Sequence, residues 1–281
     1  MTLPLHLVDP VIRRALQEDL PCLDLSSAWL FPPEHQSEAW LHANAPGVFC
    51  GGAIFCRVFT LLDDSCQFTL HLRDGDPFHT GDTLLELRGP TAILLQGERT
   101  ALNLLQHLCG VATATAELVQ AIEGSGACIA ETRKTLPGLR ALQKYAVGCG
   151  GGRNHRFSLS DAVMLKDNHI DACGSIAEAV ARVRAHIGHM VKIEAETRTL
   201  HEVQQAFAAG ADVIMLDNMP LDAMREAVAW LHGQERPVLI EASGDITHAR
   251  AREIAQTGVD VLSLGSLTHS VTALNISMRM R

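Results

Sequence analysis

The sequence predicts an α/β protein, with an N-terminal α/β sandwich domain followed by an open (β/α) barrel-like domain of about seven parallel strands. Three observations carry that expectation. From residue 127 onward, short aliphatic runs alternate with amphipathic segments at helical spacing, and repeated βα units of this length call for a parallel sheet covered on both faces. No GxGxxG opens the first of these units, which favours a barrel over a dinucleotide-binding sheet. Before residue 91, strand-like runs are separated by tight turns such as Asp74-Gly75-Asp76 and Thr80-Gly81-Asp82, as in a compact sandwich.

In chain order, VIRRALQED over residues 11–19 has apolar residues at helical spacing and predicts a first helix, ended by the turn at 21–24 and the Ser26-Ser27 pair. Strands are expected over 38–43, 67–72 and 83–87, with a helix over 52–62. The phrase DGD…GDTLLELRGP looks like the hairpin of biotin- or lipoyl-carrier domains. Those domains attach their cofactor to lysine, and no lysine precedes Lys134. Residues 91–123 read as a connecting helix in which Gly110 is a point of kinking or interruption. Strands then follow at 128–132, 161–165, 190–195, 212–216, 237–241 and 261–264, with helices at 138–147, 175–186, 200–208, 221–231 and 247–256. Domains are expected at 1–111, joined by the C-terminal segment 271–281, and at 112–270.

With 281 residues, 47% hydrophobic and 20% charged, the chain can bury a large core. A formal net charge of −9 argues against nucleic acid or an anionic membrane as partner, since both need clustered Lys and Arg. The eight cysteines show no CxxC pair and no Cys/His cluster at metal-ligand spacing, so neither zinc nor a disulfide framework is signalled. The first residues lack the pattern of a signal peptide, and the longest apolar stretch, 48–62, is broken by Gly51-Gly52 and Arg57. A cytoplasmic protein is expected. Lysine occurs only at positions 134, 144, 166 and 192, and two of these fall at suspected site positions.

In a βα barrel, function collects at the C-terminal ends of the strands. The polar residues there are Arg133-Lys134, His155-Arg156, Lys166, Glu196, Asp217, Ser243-Gly244-Asp245 and Gly265-Ser266. The cations suit carboxylates and phosphates, the two acids suit a metal or a sugar, and the Gly-containing turns suit phosphate oxygens, with Thr247 capping the helix that follows the first of them. Each has a plainer alternative. A single Arg or Lys is more often a rim charge, His155 a satisfied structural histidine, Asp217 a cap for the next helix, and Arg99 a solvated charge on the connecting helix. Glu194 and Glu196 share one strand and are expected to divide, one toward solvent and one toward the site.

The segments GERTALNLLQHLCGVAT, ETRKTLPGLRALQKYAVGCGGGRNHR, LKDNH, AGADVIMLDNM, EASGDIT and TGVDVLSLGSLTH, in this order, resemble the quinolinate phosphoribosyltransferase family over nearly the whole chain. The resemblance implies magnesium-dependent transfer of phosphoribosyl from phosphoribosyl pyrophosphate (PRPP) to quinolinate with loss of carbon dioxide, giving nicotinate mononucleotide and pyrophosphate on the de novo route to NAD. It implies that Arg133, His155, Arg156 and Lys166 hold the quinolinate carboxylates. Thr132, Lys134, Glu196, Asp217, Ser243, Gly244, Asp245, Gly265, Ser266 and Leu267 complete the substrate site, with Lys134, Glu196 and Asp217 as the catalytic groups. Glu196 and Asp217 are implied to serve Mg2+ directly or through water or PRPP. Arg99 is implied to reach the neighbouring subunit's site in a homodimer. Glu131 replaces the usual Asp, Ser158 a common Gly, Asp245 a small residue and Asn275 an Asp. Asp245 bears most on function, because an acid beside phosphate is repulsive unless it points away or meets the metal. Weighed beside this are a related protein of molybdate-transport operons, a class I aldolase using Lys134 or Lys166 as Schiff base, and a non-catalytic binding protein of the same fold.

Overall fold

A computed structural model describes residues 3–280. In chain order the elements are α1 (Leu5–Asp19), α2 (Ser27–Leu30), β1 (Gln36–Ala43), β2 (Gly47–Val48), α3 (Gly52–Thr60), β3 (Gln67–Leu70), β4 (Pro77–Phe78), β5 (Thr83–Pro90), α4 (Thr91–Ala121), β6 (Cys128–Ala130), α5 (Arg140–Cys149) and β7 (Val163–Leu165). They continue with α6 (Asp167–Cys173), α7 (Ile176–Arg184), β8 (Ile193–Thr197), α8 (Leu200–Ala208), β9 (Val213–Asp217), α9 (Leu221–His232), β10 (Leu239–Ser243), α10 (His248–Ala255), β11 (Val261–Ser263), α11 (Ser266–His269) and β12 (Ile276–Met280). The chain divides into two compact units, one of residues 1–116, 135–151 and 267–281, the other of 117–134 and 152–266.

The first unit is built on an antiparallel sheet in the order β12-β1-β5-β3. Strand alternation puts Ala39, Leu41 and Ala43 of β1 on the buried face, where Leu41 lies opposite Leu85 and Ala39 opposite Leu87. Phe49, Phe55, Phe59 and Phe78 are fully buried in the same core. Helix α1 begins earlier than expected, because Val8, Ile12 and Leu16 continue one apolar stripe at intervals of four across Pro10. Helix α4 is unbroken through Gly110. That glycine serves close packing: a Cβ there would overlap the Thr272 carbonyl. All eight cysteines are free thiols. Residues that spacing does not associate nevertheless meet, since Cys50, Asp74 and Cys149 bring potential ligand atoms within 4.8 Å of one another. Among the described residues no helix is long and apolar enough to cross a membrane.

The second unit is organised by a parallel sheet of six strands in the order β6-β11-β10-β9-β8-β7. What would be a further strand is reduced to one bridge, Ala130 to Arg153, with the Arg153 N–H donating to the Ile129 carbonyl at 2.8 Å. From there residues 153–162 run from the edge of β6 toward β7 as irregular chain. Helices α7 and α8 begin with side-chain caps, Ser175 to the Glu178 N–H and Thr199 to the Glu202 N–H, which satisfy donors the first turn leaves open. Thr247 stands at the N-cap of α10 without a side-chain bond.

Candidate functional site

Register explains how the barrel interior is stocked. Glu196 of β8 pairs with Met215 of β9, and Glu241 and Ser243 of β10 pair with Met215 and Asp217. Because side chains repeat every second residue along a strand, these positions share one face. Toward the N-terminal ends that face carries Val213, Leu239 and Val261; at the C-terminal ends it carries Glu196, Asp217, Ser243 and Ser263. The interior is polar at the C-terminal ends and keeps Glu194 and Glu241 among aliphatic side chains deeper in.

At the polar end lies a cavity of about 470 Å³ lined by Thr132, Arg133, Lys134, His155, Arg156, Met164, Lys166, Glu196, Met215, Asp217, Asn218, Glu241, Ser243, Gly244, Asp245 and Ser263. Of the residues singled out from sequence, the structure brings together Thr132, Arg133, Lys134, His155, Arg156, Lys166, Glu196, Asp217, Ser243, Gly244 and Asp245. Gly265 and Ser266 follow β11 and do not line this cavity, and the Leu267 side chain is buried. Arg99 lies exposed on α4, in the first unit.

Four sequence expectations change. Glu196 and Ser243 are the fourth and last residues of their strands rather than residues beyond them. Asp217 does not cap the next helix, whose N-cap is Pro220; it closes β9 and faces the cavity. Glu194 and Glu196 do not divide between solvent and site. Two residues apart on a strand point the same way, and Glu194 is 5% exposed, inside the barrel. The sequence also passed over Glu241, Asn218 and Ser263, although Glu241 sits two residues before Ser243 and so had to share its face.

The cationic side of the cavity comes mostly from the irregular chain beyond β6. Arg156 donates from Nη1 to the Ala162 carbonyl at 2.8 Å, while its Nε is buried without a partner and so is aimed to receive a ligand oxygen. Burial, then the neighbouring charge of Arg133, lowers its pKa from the ordinary value. The backbone N–H of Lys134 is held by the Thr132 hydroxyl at 3.0 Å. Lys166, half exposed, reaches Glu196 at 3.6 Å and opens α6, a short helix the sequence reading did not separate. Its backbone N–H is taken by His169 Nδ1 at 3.0 Å.

Two acid pairs occupy the same interior. Glu196 lies beside Asp217; burial raises its carboxyl, Lys166 counters this, and the like charge of Asp217 adds to it. Deeper in, His155 stands between Glu194, 3.3 Å from Nε2, and Glu241, 3.5 Å from the same nitrogen. Burial alone would lower this imidazole, but the bonds and charges of the two acids carry it up to about 9. Burial pushes Glu194 up despite the bond to His155. Glu131, fully buried, accepts the His155 backbone N–H at 3.1 Å.

The turn after β10 is tightly built. Asn218 and Asp245 both have positive φ, 51° and 33°, the Asn218 N–H donates to the Ser243 carbonyl at 3.0 Å, and its amide donates to Asp217 at 3.1 Å. Gly244 has φ 90° and lies so close to the Asn218 amide that a Cβ would overlap it. Strain gathered beside a ligand cavity suits a cradle that holds an anion through its backbone.

A curved parallel sheet with a cation-rich cavity at the C-terminal ends of its strands defines a βα barrel built to hold a polyanionic small molecule. Family models narrow this class: the quinolinate phosphoribosyl transferase N-terminal domain matches residues 24–109 and its C-terminal domain residues 111–279. A probable nicotinate-nucleotide pyrophosphorylase [carboxylating] of Bacillus subtilis (strain 168) is 49% identical over 261 residues, covering 93% of this chain and 89% of that protein. The Homo sapiens nicotinate-nucleotide pyrophosphorylase [carboxylating] is 38% identical over 267 residues, covering 94% and 89%. The crystal structure of NadC from Streptococcus pyogenes superposes with a TM-score of 0.95 at 41% identity, over 100% of this chain and 99% of that one. The chain belongs to the quinolinate phosphoribosyltransferase family.

Proposed function

We propose that this protein transfers phosphoribosyl from PRPP to quinolinate with decarboxylation, yielding nicotinate mononucleotide, pyrophosphate and carbon dioxide for de novo NAD biosynthesis in the cytoplasm. The observation that carries this reading is one cavity with a cationic wall of Arg133, Arg156 and Lys166 beside the Glu196 and Asp217 acids. The cations suit a pyridine dicarboxylate and the acids suit a ribosyl centre that becomes cationic.

The cationic wall holds the two carboxylates and, with His155, fixes the pyridine ring so that its nitrogen faces the ribose anomeric carbon. As the bond from that carbon to pyrophosphate breaks, its electron pair leaves with pyrophosphate, and positive charge builds on the ribose. Glu196 and Asp217 stabilise it electrostatically, while Lys134 and the Ser243-Gly244-Asp245 turn take the departing phosphates. The ring nitrogen donates its pair to the carbon and becomes cationic. That cationic ring accepts the electrons released when the adjacent carboxylate departs as carbon dioxide, and a proton takes its place. No covalent enzyme intermediate is required.

Magnesium fits the acid pair. Two neighbouring carboxylates, one with a buried oxygen lacking a hydrogen-bond partner in Glu196 Oε2, are the hard oxygen donors this ion prefers. When bound it would neutralise pyrophosphate charge, with Glu196 and Asp217 holding it directly or through water. Arg99 fits a role at a homodimer partner's cavity. Mixing Arg99→Ala with Lys166→Ala protein should then restore turnover, and no restoration despite confirmed mixing would count against a shared site.

The test of the reaction is stoichiometric: with magnesium and PRPP, quinolinate should be consumed with equal release of carbon dioxide, while nicotinate should not react. Turnover of nicotinate alone would sink the assignment.

A further inference from the structure

Three buried acids, Glu131, Glu194 and Glu241, are left unused by the reaction above, and the last two act together. They come from β8 and β10, two strands separated by β9, are 5% and 3% exposed, and converge on one atom, His155 Nε2. The second ring nitrogen is engaged as well: Nδ1 receives the backbone N–H of Arg156 at 2.7 Å. A proton on Nε2 therefore faces the acids in either charge state of the ring, and only the neutral ring offers Nδ1 as acceptor to the Arg156 N–H. Glu131 secures the His155 backbone from below β6's C-terminal end. The imidazole lines both the 470 Å³ cavity and a second one of about 490 Å³ nearer the N-terminal ends of the strands, so it forms the partition between them. The charged groups placed around it by these contacts are Glu131, Arg156, Glu194 and Glu241.

We propose that Glu194 and Glu241 are positioning residues: their charges hold the Nε2 side of His155 from two strands, fix the ring as the cavity floor, and so set the backbone of Arg156, the next residue in the chain. Glu194 lies outside the lining of the 470 Å³ cavity and Glu241 within it; both act on the dicarboxylate side through His155. The regular strands are rigid and carry the acids, whereas residues 153–162 are irregular and carry His155 and Arg156. An irregular segment needs such an anchor if its guanidinium is to meet a planar dicarboxylate with the same geometry each time. The strength of the grip is consistent with an imidazole carried up to about 9. This inference rests on the proposed reaction only for its substrate, and its first test needs none.

The experiment compares wild type, Glu194→Gln, Glu241→Gln and the double variant. Nitrogen-15 NMR of the imidazoles, with His155 assigned by the signals lost in His155→Gln, should show an Nε2-bound proton in wild type. Its titration midpoint should fall by about one unit for each acid neutralised, a tenfold change in proton affinity. In steady-state assays of Glu194→Gln, whose side chain does not line the substrate cavity, KM for quinolinate should rise about tenfold, while KM for PRPP stays within twofold and kcat is largely kept. A His155 midpoint and proton position unmoved by either substitution would overturn the proposal, as would equal damage to both KM values. Should one variant fold poorly by circular dichroism, the other acid supplies the same NMR readout. If wild type fails to turn over quinolinate, the reaction reading fails, and the NMR result still decides the role of the pair.

Discussion

The barrel interior holds two acid pairs a few ångströms apart in sequence register but in opposite circumstances. Glu194 and Glu241 close on an imidazole and are sealed from water; Glu196 and Asp217 sit at the open end with a half-exposed lysine 3.6 Å from Glu196. Strand β8 supplies one member of each, two residues apart. A single step of strand period moves a carboxylate from the floor, beside His155, to the mouth, where the proposed reaction would use it for charge stabilisation. Both sets keep a carboxylate oxygen without a hydrogen bond, Glu194 Oε1 and Glu241 Oε1 at the floor and Glu196 Oε2 at the mouth; what separates them is the charge each faces, an imidazole for the first and a half-exposed lysine for the second.

That contrast predicts the largest effect at the mouth. Glu196→Gln or Asp217→Asn should lower kcat by about 10²–10³-fold, the usual loss when a group aimed at developing charge is removed. Single-turnover kinetics with saturating substrates measures it. A Glu196→Gln protein with unchanged kcat and a raised KM for quinolinate alone would erase the distinction between the pairs.

Stability should separate the pairs in the opposite sense. Glu194→Leu strips one of two acids from a buried imidazole and should cost about 3–5 kcal/mol in urea unfolding, as for other broken buried charge pairs. Glu196→Gln should be neutral or stabilising by about 0.5–2 kcal/mol, because it relieves crowding with Asp217 at a site kept for function. Equal destabilisation by both would show that the mouth acids also hold the barrel together.

The pH dependence follows from His155. Its folded value, about 9, lies above the ordinary 6.5, so the stabilisation it supplies is fully present below pH 6.5 and is lost as pH rises through about 9. The melting-temperature difference between wild type and His155→Gln should therefore be widest near pH 6 and narrow toward pH 10. A difference that widens with pH would reverse the assignment.

The turn after β10 should show smaller effects than the buried pair. Gly244→Ala, at φ 90°, should cost about 1–3 kcal/mol, the strain expected of a side chain in that region. Asp245→Gly leaves the φ of 33° but removes the side chain that strains it, and should gain up to about 1 kcal/mol. It should also lower KM for PRPP a few-fold by removing an acid beside the phosphates, as initial rates against PRPP concentration will show.

The alternation of strand and helix after residue 127 was legible because each element repeats a simple period, and the polar residue at each strand end could be read without coordinates. Register was not legible to within two residues. Glu196 and Ser243 lie inside strands whose ends the apolar pattern blurs, since a polar residue at a strand's end looks the same as one just past it. The expected split of Glu194 from Glu196 failed on geometry rather than on composition, because strand period is two and both must face inward. The six strands placed from sequence are the six of the sheet, and the lone bridge at Arg153 had no strand assigned to it, because residues 153–162 have the polarity of a loop and leave almost no periodic trace. Arg99 could be singled out only through resemblance, for nothing local distinguishes a ligand arginine from a solvated one on an exposed helical face.

The single bridge between Ala130 and Arg153 has a consequence for how such a barrel can change its chemistry. A full strand at that place would tie every second residue to a ladder, and any insertion or deletion would shift a register. Irregular chain carries no register to lose. Chain between Arg153 and Ala162 can therefore be exchanged, lengthened or shortened around His155 and Arg156 while six strands keep their pairing, which makes this seam the natural cassette for altering what the cavity accepts.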